Sequence, residues 1–124
     1  MNVPDDLLYT SGHEWLRVDG DTATVGVTAF AAESLGDVVY VDLPEAGAAL
    51  TSGESCGEIE STKSVSDLYA PTDGEVLEAN DAVVQDPALV NSDPFGDGWL
   101  LRIRVSSTEG LLDAEAYKAL VEQS

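Results

Sequence analysis

Basic residues are scarce in this chain: only five of its 124 residues are lysine or arginine, against 24 aspartates and glutamates. The formal net charge of -19 excludes nucleic acid and anionic membranes as partners held by bulk electrostatics. A single cysteine cannot form an intramolecular disulfide. No apolar segment approaches membrane-spanning length, and residues 1–10 lack the basic start and apolar run of a signal peptide, so we expect a cytoplasmic protein.

The abundant residue classes favour one folded, acidic domain. A hydrophobic content of 44%, with the acids interspersed among it, argues against disorder, and the length predicts a single domain over 1–124 with a small core. Such an acidic surplus is typical of proteins that work at high salt, where counterions screen self-repulsion. A melting temperature that does not rise with salt concentration would contradict this interpretation.

Lys63 lies in the middle of the stretch 57–71, which alternates between apolar and polar residues on either side of it. The apolar positions of the two predicted strands are Cys56, Ile59, Val65, Leu68 and Tyr69. Ser61, Thr62 and Ser64 are compatible with a turn, so the pattern predicts a β-hairpin with Lys63 at or near its tip. Small neighbours would leave the amine open to a modifying enzyme. Spacing alone equally allows a charge that discourages edge-strand pairing.

Two further reactive side chains have simpler interpretations. Cys56 falls in a predicted strand, which favours a buried, inert thiol over a nucleophile. His13, the single histidine, has no second ligand for zinc and no serine nucleophile placed by a motif, so we expect it to make a local hydrogen bond.

The remaining elements are mostly strands. Turn signals and β-branched runs predict strands within 10–18 and over 22–27, 37–43, 74–77 and 99–105. Arg102 and Arg104 in the last strand should pair with acids. Residues 86–98 are typical of a loop with at most one helical turn over 87–90.

Two helices are also expected. Thr28 can cap a short helix that ends at Gly36, with Phe30, Ala31 and Leu35 on one face. Residues 109–122 predict a terminal helix over an open sheet face. Its expected apolar side consists of Leu111, Leu112, Ala116, Leu120 and Val121.

A short internal repeat flanks Lys63. Residues 36–39, Gly-Asp-Val-Val, recur as residues 74–77, Gly-Glu-Val-Leu, and each copy opens a predicted strand. The repeat suggests two half-sandwiches joined through the lysine hairpin, although four residues can also match by chance.

A set of short motifs runs over most of the chain: 11–15 (SGHEW), 26–28 (GVT), 35–37 (LGD), 43–44 (LP), Gly47, 60–64 (ESTKS), 66–67 (SD), Pro71, 74–76 (GEV), Asn80, Pro87, Leu89, Asn91, Pro94 and 98–99 (GW). Taken together and in this order, the motifs resemble the H-protein family of the glycine cleavage system. Thr62 and Ser64 stand where the family commonly has valine and alanine, which leaves the lysine in place.

The resemblance implies a mainly β barrel-sandwich hybrid, like lipoyl and biotinyl domains, with a short internal helix and a C-terminal helix. It implies that Lys63 bears lipoic acid in amide linkage and that the chain is a carrier with no catalytic residues. The implied partners are a pyridoxal phosphate-dependent glycine decarboxylase, a tetrahydrofolate-dependent aminomethyltransferase, dihydrolipoyl dehydrogenase and a lipoate-attaching enzyme. The carrier would bring the aminomethyl group to the second and reducing equivalents to the third.

The resemblance further implies a cleft on the carrier that shelters the loaded arm. Glu14 and Asp67 would accept hydrogen bonds from its ammonium, and Ala31 and Leu35 would supply apolar lining. Gly12 and Ser34 depart from residues that family members carry, serine and histidine respectively, and both changes bear on how strongly the arm docks.

Three alternatives remain at this point. A biotin carrier shares the fold, but it usually has methionines beside the lysine, and Met1 is the only methionine here. A related lipoyl donor or carrier for another pathway would have nearly the same sequence. An enzyme using Lys63 as a Schiff-base or general-base amine lacks a pocket motif, and an exposed tip would do little to lower the pKa of the amine. A monomer is the simplest expectation for a shuttle that presents one arm to several enzymes.

Overall fold

The computed structural model describes residues 3–122, which form nine strands and four helices. The strands are β1 (Leu8–Tyr9), β2 (Glu14–Asp19), β3 (Thr22–Val27), β4 (Val38–Asp42), β5 (Ala49–Leu50), β6 (Ser55–Ser61), β7 (Val65–Tyr69), β8 (Gly74–Ala79) and β9 (Leu101–Val105). The helices are α1 (Ala29–Leu35), α2 (Asp81–Gln85), α3 (Leu89–Ser92) and α4 (Ala114–Glu122). The mainly β expectation, with a short internal helix and a C-terminal one, is confirmed.

Two antiparallel sheets form the body of the protein. The larger has the order β1-β2-β3-β9-β8-β5, and the smaller has the order β4-β6-β7. The two copies of the short repeat open β4 and β8, one in each sheet. Because β7 is an edge of the smaller sheet, one side of it is free to form the wall of a groove.

Helix α1 forms as its sequence predicts. The Thr28 hydroxyl accepts a hydrogen bond from the Ala31 amide at 3.2 Å, which caps the first turn. Gly36 ends the helix with φ of 75°, a backbone conformation that glycine adopts without strain. Ala32 is the residue of this helix that is buried in the core.

The other helices differ from the sequence prediction. Helix α2 was not predicted; it forms because the Asn80 side chain accepts from the Ala82 amide and starts a helical turn. Helix α3 supplies the expected single turn but begins at Leu89 instead of at residue 87. Helix α4 begins at Ala114, five residues after the predicted 109, where Asp113 caps it through the Ala116 amide at 2.8 Å.

The predicted apolar side of the terminal helix was partly wrong. Ala116 is exposed, whereas Ala114 and Tyr117 are buried. They pack with Leu7, Tyr9 and Trp15 in a small cluster beside β1 and β2. The Tyr9 and Tyr117 rings stack with their centroids 4.6 Å apart, and this aromatic contact helps to hold α4 on the larger sheet.

The arginines of β9 pair with acids of β8, as expected. Arg102 contacts Glu78 at 2.6 Å and Arg104 contacts Glu75 at 2.9 Å. Since all four side chains are about half exposed, each pair should contribute only about 0.2 to 1 kcal/mol. The main source of stability is the core between the two sheets, where Val25, Val41, Ile59, Val76 and Ile103 are almost fully buried.

Candidate functional site

Lys63 lies in the three-residue tip between β6 and β7, and not on either strand. The tip is closed by the Ser61 amide, which donates to the Ser64 carbonyl at 2.8 Å. The Ser61 hydroxyl oxygen also accepts from the amides of Lys63 and Ser64, each at 3.2 Å. Ser61 is buried while residues 62–64 are exposed, so the backbone of Lys63 is fixed and its side chain is open to solvent.

A cleft of about 550 Å³ runs between α1 and the free edge of β7, beside this tip. Its lining includes all four residues that the resemblance assigns to a docking cleft, namely Glu14, Ala31, Leu35 and Asp67. They come from three separate elements, β2, α1 and β7, and only the packing of the two sheets brings them together.

The two carboxylates of the cleft have very different surroundings. Glu14 is only 3% exposed, and burial raises the pKa of its carboxyl group above the ordinary value. The Thr10 hydroxyl donates to Glu14 Oε1 at 2.5 Å and partly offsets that effect of burial on the pKa. Asp67 is exposed, and the Tyr69 hydroxyl lies 3.4 Å from its Oδ2, a long contact. Glu14 is therefore the stronger candidate for binding a cation.

Glu14→Gln should stabilise the protein at neutral pH. Because burial raises the pKa of Glu14 in the folded state, the folded protein binds this proton more tightly than the unfolded chain does. The stability that this group contributes is complete below its ordinary pKa of 4.5 and is lost as pH rises through its raised pKa. Urea unfolding of both proteins from about pH 5 to pH 8 should show a gain for the variant that grows with pH.

The matched control for that measurement is Asp67→Asn, an exposed carboxylate in the same cleft. It should change the free energy of unfolding much less, because solvent screens an exposed charge. A Glu14→Gln gain that stays the same at every pH would show that loss of the buried charge is not its cause.

His13 lines the cleft, but its side-chain hydrogen bond is not the local one expected of it, because the partner lies in α4, 104 residues further along the chain. Its Nδ1 lies 2.8 Å from the Tyr117 hydroxyl, which is also 2.7 Å from the Thr28 hydroxyl. Burial lowers the pKa of His13, which favours the neutral ring. The Phe30 ring, 4.7 Å from the imidazole between centroids, covers it from α1.

Several lining residues were not identified from the sequence. Phe30 lines the cleft but was expected only on the apolar face of α1, and Tyr117, which was not expected near it, lies behind the lining and contacts His13. The spacing of Ala114 and Tyr117, three residues apart in one helix, is the sequence signal that could have placed both on a single buried face.

The described part of the chain gives little support for a reactive thiol, a metal site or a membrane-spanning helix. Cys56 is half-buried, and burial raises its pKa to about 11, so the thiol is protonated at neutral pH as its interpretation as an inert residue requires. Within residues 3–122, no cluster of three or more histidine, cysteine, aspartate or glutamate side chains could hold a metal ion. No helix in that range is long and apolar enough to cross a membrane.

The residues present fit a covalently attached apolar arm that ends in a cation. Lys63 offers an exposed primary amine for an amide bond. Ala31 and Leu35 offer apolar walls, and Glu14 offers a buried anionic acceptor at the base of the same cleft. Gly12 leaves the carboxylate uncovered on one side, since a Cβ there would lie 3.0 Å from Glu14 Oε2.

Comparisons with known proteins point in one direction. The family model described as glycine cleavage H-protein matches residues 7–124. The chain is 62% identical to the glycine cleavage system H protein of Beutenbergia cavernae, with 97% of each chain covered. It is 54% identical to a probable glycine cleavage system H protein of Haloarcula marismortui, with 98% of each covered.

A solved structure agrees with these relatives. The crystal structure of a glycine cleavage system H protein from Mycobacterium marinum superposes with a TM-score of 0.91 at 45% identity. The match covers 97% of this chain and 99% of that one. A match at 45% identity over nearly the whole of both chains shows more than a shared arrangement of strands.

Proposed function

The chain belongs to the glycine cleavage H-protein family, and on that premise we propose that Lys63 carries lipoic acid in amide linkage. Proteins of this family are lipoyl carriers with a barrel-sandwich fold, not enzymes. The alternative in which the Lys63 amine acts as a catalyst is therefore wrong.

The observation that carries the proposal is an exposed lysine on a fixed hairpin tip, next to a cleft with a buried carboxylate. Lipoic acid, when attached, supplies a disulfide that accepts a one-carbon fragment and two electrons. The hairpin keeps the attachment point in one direction while the side chain stays free, which gives the tethered group a high effective concentration at each partner.

In this role the chain takes the aminomethyl group of glycine from the pyridoxal phosphate-dependent decarboxylase to the aminomethyltransferase. It then delivers reducing equivalents to dihydrolipoyl dehydrogenase, and a lipoate-attaching enzyme must reach the same tip. The exposure of residues 62–64 supports access by all four partners. We also propose a single domain that acts as a monomer, since self-association at the tip or the cleft would block one of these steps.

Glu14 and the walls of the cleft protect the aminomethyl group on the lipoyl arm, called the cargo below, while the carrier moves from one enzyme to the next. Glu14 accepts a hydrogen bond from the cargo's ammonium in surroundings of low dielectric constant, where such a contact is stronger than in water. Ala31 and Leu35 exclude water from the same space and so slow hydrolysis. Asp67 contributes less at the exposed rim. Binding of the cation should also favour the ionised form of Glu14 and lower its raised pKa.

The intact mass of protein purified from its own cells tests the attachment, and peptide mapping then locates it. We expect a lipoyl increment on Lys63 and none on Lys118, the other lysine of the sequence, which serves as an internal control. A biotinyl increment would move the chain to the carriers of carboxylases. An unmodified Lys63 in cells that lipoylate other proteins would contradict the proposal.

A further inference from the structure

Gly36 lies against the side chain of Lys63 although 26 residues of chain separate them. A Cβ built on Gly36 would lie 3.2 Å from Lys63 Cε and 3.9 Å from both Cδ and Nζ. The Lys63 side chain thus occupies the space that a side chain at position 36 would need. At 3.2 Å a methyl group would require the stem to shift by a few tenths of an ångström.

The position of Gly36 is fixed from both sides. Asn91 Nδ2 donates to the Gly36 carbonyl at 2.7 Å, and Asn91 Oδ1 accepts from the Val38 amide at 2.9 Å. On the other side, the Asp37 carbonyl accepts from the Thr62 amide at 3.0 Å. Residues 36–38 and the hairpin tip are therefore connected through Asn91 and this backbone bond, so Gly36 and Lys63 keep their relative positions.

This contact lies at the end of the cleft. Leu35, immediately before Gly36, lines the cleft, and so does Val65, two residues after Lys63. Gly36 itself lines the neighbouring hollow with Asp37 and Asn91, so the lysine stem that lies along Gly36 runs past the end of α1, next to the Leu35 wall of the cleft.

We propose that Gly36 is a positioning residue that forms the passage from the hairpin tip to the cleft, and that Asn91 holds it in place. The inference rests on the proposed function, because it concerns how the substituted Lys63 reaches the Glu14 end of the cleft. Gly36 takes no part in attachment itself, since the exposed amine is reached from solvent.

The test compares Gly36→Ala with Gly20→Ala and Gly53→Ala. Gly36 has φ of 75°, and the two controls have φ of 65° and 82° with nothing within 4 Å of a new Cβ. All three changes place a side chain at positive φ, but only Gly36→Ala adds a methyl group against Lys63; because Gly36 also has ψ of -157°, a region nearly restricted to glycine, the free energies of unfolding of the three variants are measured alongside to account for its extra backbone strain. In lipoylated protein loaded by the decarboxylase, Gly36→Ala should release the cargo by hydrolysis roughly threefold to tenfold faster than either control, corresponding to about 0.6 to 1.4 kcal/mol of lost docking.

Two readouts separate positioning from general damage. The rate of lipoylation should be equal in the three variants, because attachment does not use the passage. In the unmodified wild-type protein, NMR should show nuclear Overhauser effects between the Gly36 α-protons and the Lys63 ε-protons. Absence of these contacts would overturn the proposal before any cargo is loaded.

Asn91→Asp provides a second variant that keeps glycine at 36. It retains an acceptor for the Val38 amide but places an oxygen against the Gly36 carbonyl, so Gly36 should shift. We expect faster cargo loss with unchanged lipoylation here as well. This variant keeps the inference falsifiable if Gly36→Ala fails to fold.

Glu14→Gln distinguishes a failure of docking in the cleft from a failure of the passage at Gly36. If Glu14→Gln speeds cargo loss while Gly36→Ala and Asn91→Asp match their controls, docking stands and the passage is wrong. If Glu14→Gln leaves the rate unchanged, docking in the cleft is wrong and the passage is overturned with it.

Discussion

Lys63→Arg should abolish the carrier function completely and leave the fold unchanged. The guanidinium keeps the positive charge and the length of the side chain but cannot be acylated by an enzyme built for a primary amine. With the decarboxylase, the aminomethyltransferase and dihydrolipoyl dehydrogenase present, glycine-dependent NADH formation should fall to the level measured without this chain. The free energy of unfolding should change by less than about 0.5 kcal/mol, because Lys63 is exposed.

Lys118→Arg is the matched control for that loss. Lys118 is also exposed, and its contact with Asp5 is long, 3.5 Å between Nζ and Oδ1. This variant should keep full activity and full lipoylation, since the proposal assigns no role to Lys118. Appreciable activity of Lys63→Arg, measured beside this control, would mean that the carrier function does not depend on a group attached to Lys63.

The hairpin could be predicted from sequence because its signals are local. Alternation over 57–71 and a run of small hydroxyl residues give two strands and a turn without reference to the rest of the chain. The structure adds what a local pattern does not contain. Ser61 is buried and binds the tip from within, so the residue that resembles a simple turn former is what fixes the lysine backbone.

The terminal helix illustrates the opposite case. Gly110 has φ of 84°, a left-handed conformation that interrupts a helix, and the Leu112 amide and carbonyl both bond to Tyr9 across the molecule. That pairing competes with helix formation until Asp113 can cap the first turn of α4. The contact with Tyr9 leaves no periodic trace in the sequence, but Gly110 is a local signal against a helix that starts at residue 109, and the predicted start was five residues early.

The cleft residues could be named from family resemblance, but their different properties could not. Nothing in the sequence around Glu14 or Asp67 indicates that the first is 3% exposed and the second is at the surface. The difference arises because β2 lies inside the larger sheet, whereas β7 is the edge of the smaller one. The contact between Gly36 and Lys63 likewise depends on how α1 meets the hairpin.

Gly26→Ala should cause the largest loss of stability among these substitutions. Gly26 faces Trp15 across the β2 and β3 pair, and a new Cβ would lie 2.7 Å from three atoms of the fully buried indole ring. The ring must move, which also breaks the bond from its Nε1 to the Pro94 carbonyl at 2.9 Å. Overpacking costs about 1 to 3 kcal/mol and a lost hydrogen bond about 0.5 to 1.5 kcal/mol, a large part of a typical total stability of about 5 to 15 kcal/mol.

Urea unfolding can separate this clash from a backbone effect through the double variant Gly26→Ala with Trp15→Phe. Phenylalanine lacks the indole nitrogen that meets the new methyl group, so the double variant should lose clearly less stability than the sum of the two single changes. Strict additivity would contradict the packing argument.

Because Glu14 pairs with Val27 in the next position of the same ladder, a displaced Trp15 also shifts the floor of the cleft. Cargo hydrolysis should therefore accelerate in Gly26→Ala and partly recover in the double variant, which connects the packing of this ladder to protection of the cargo.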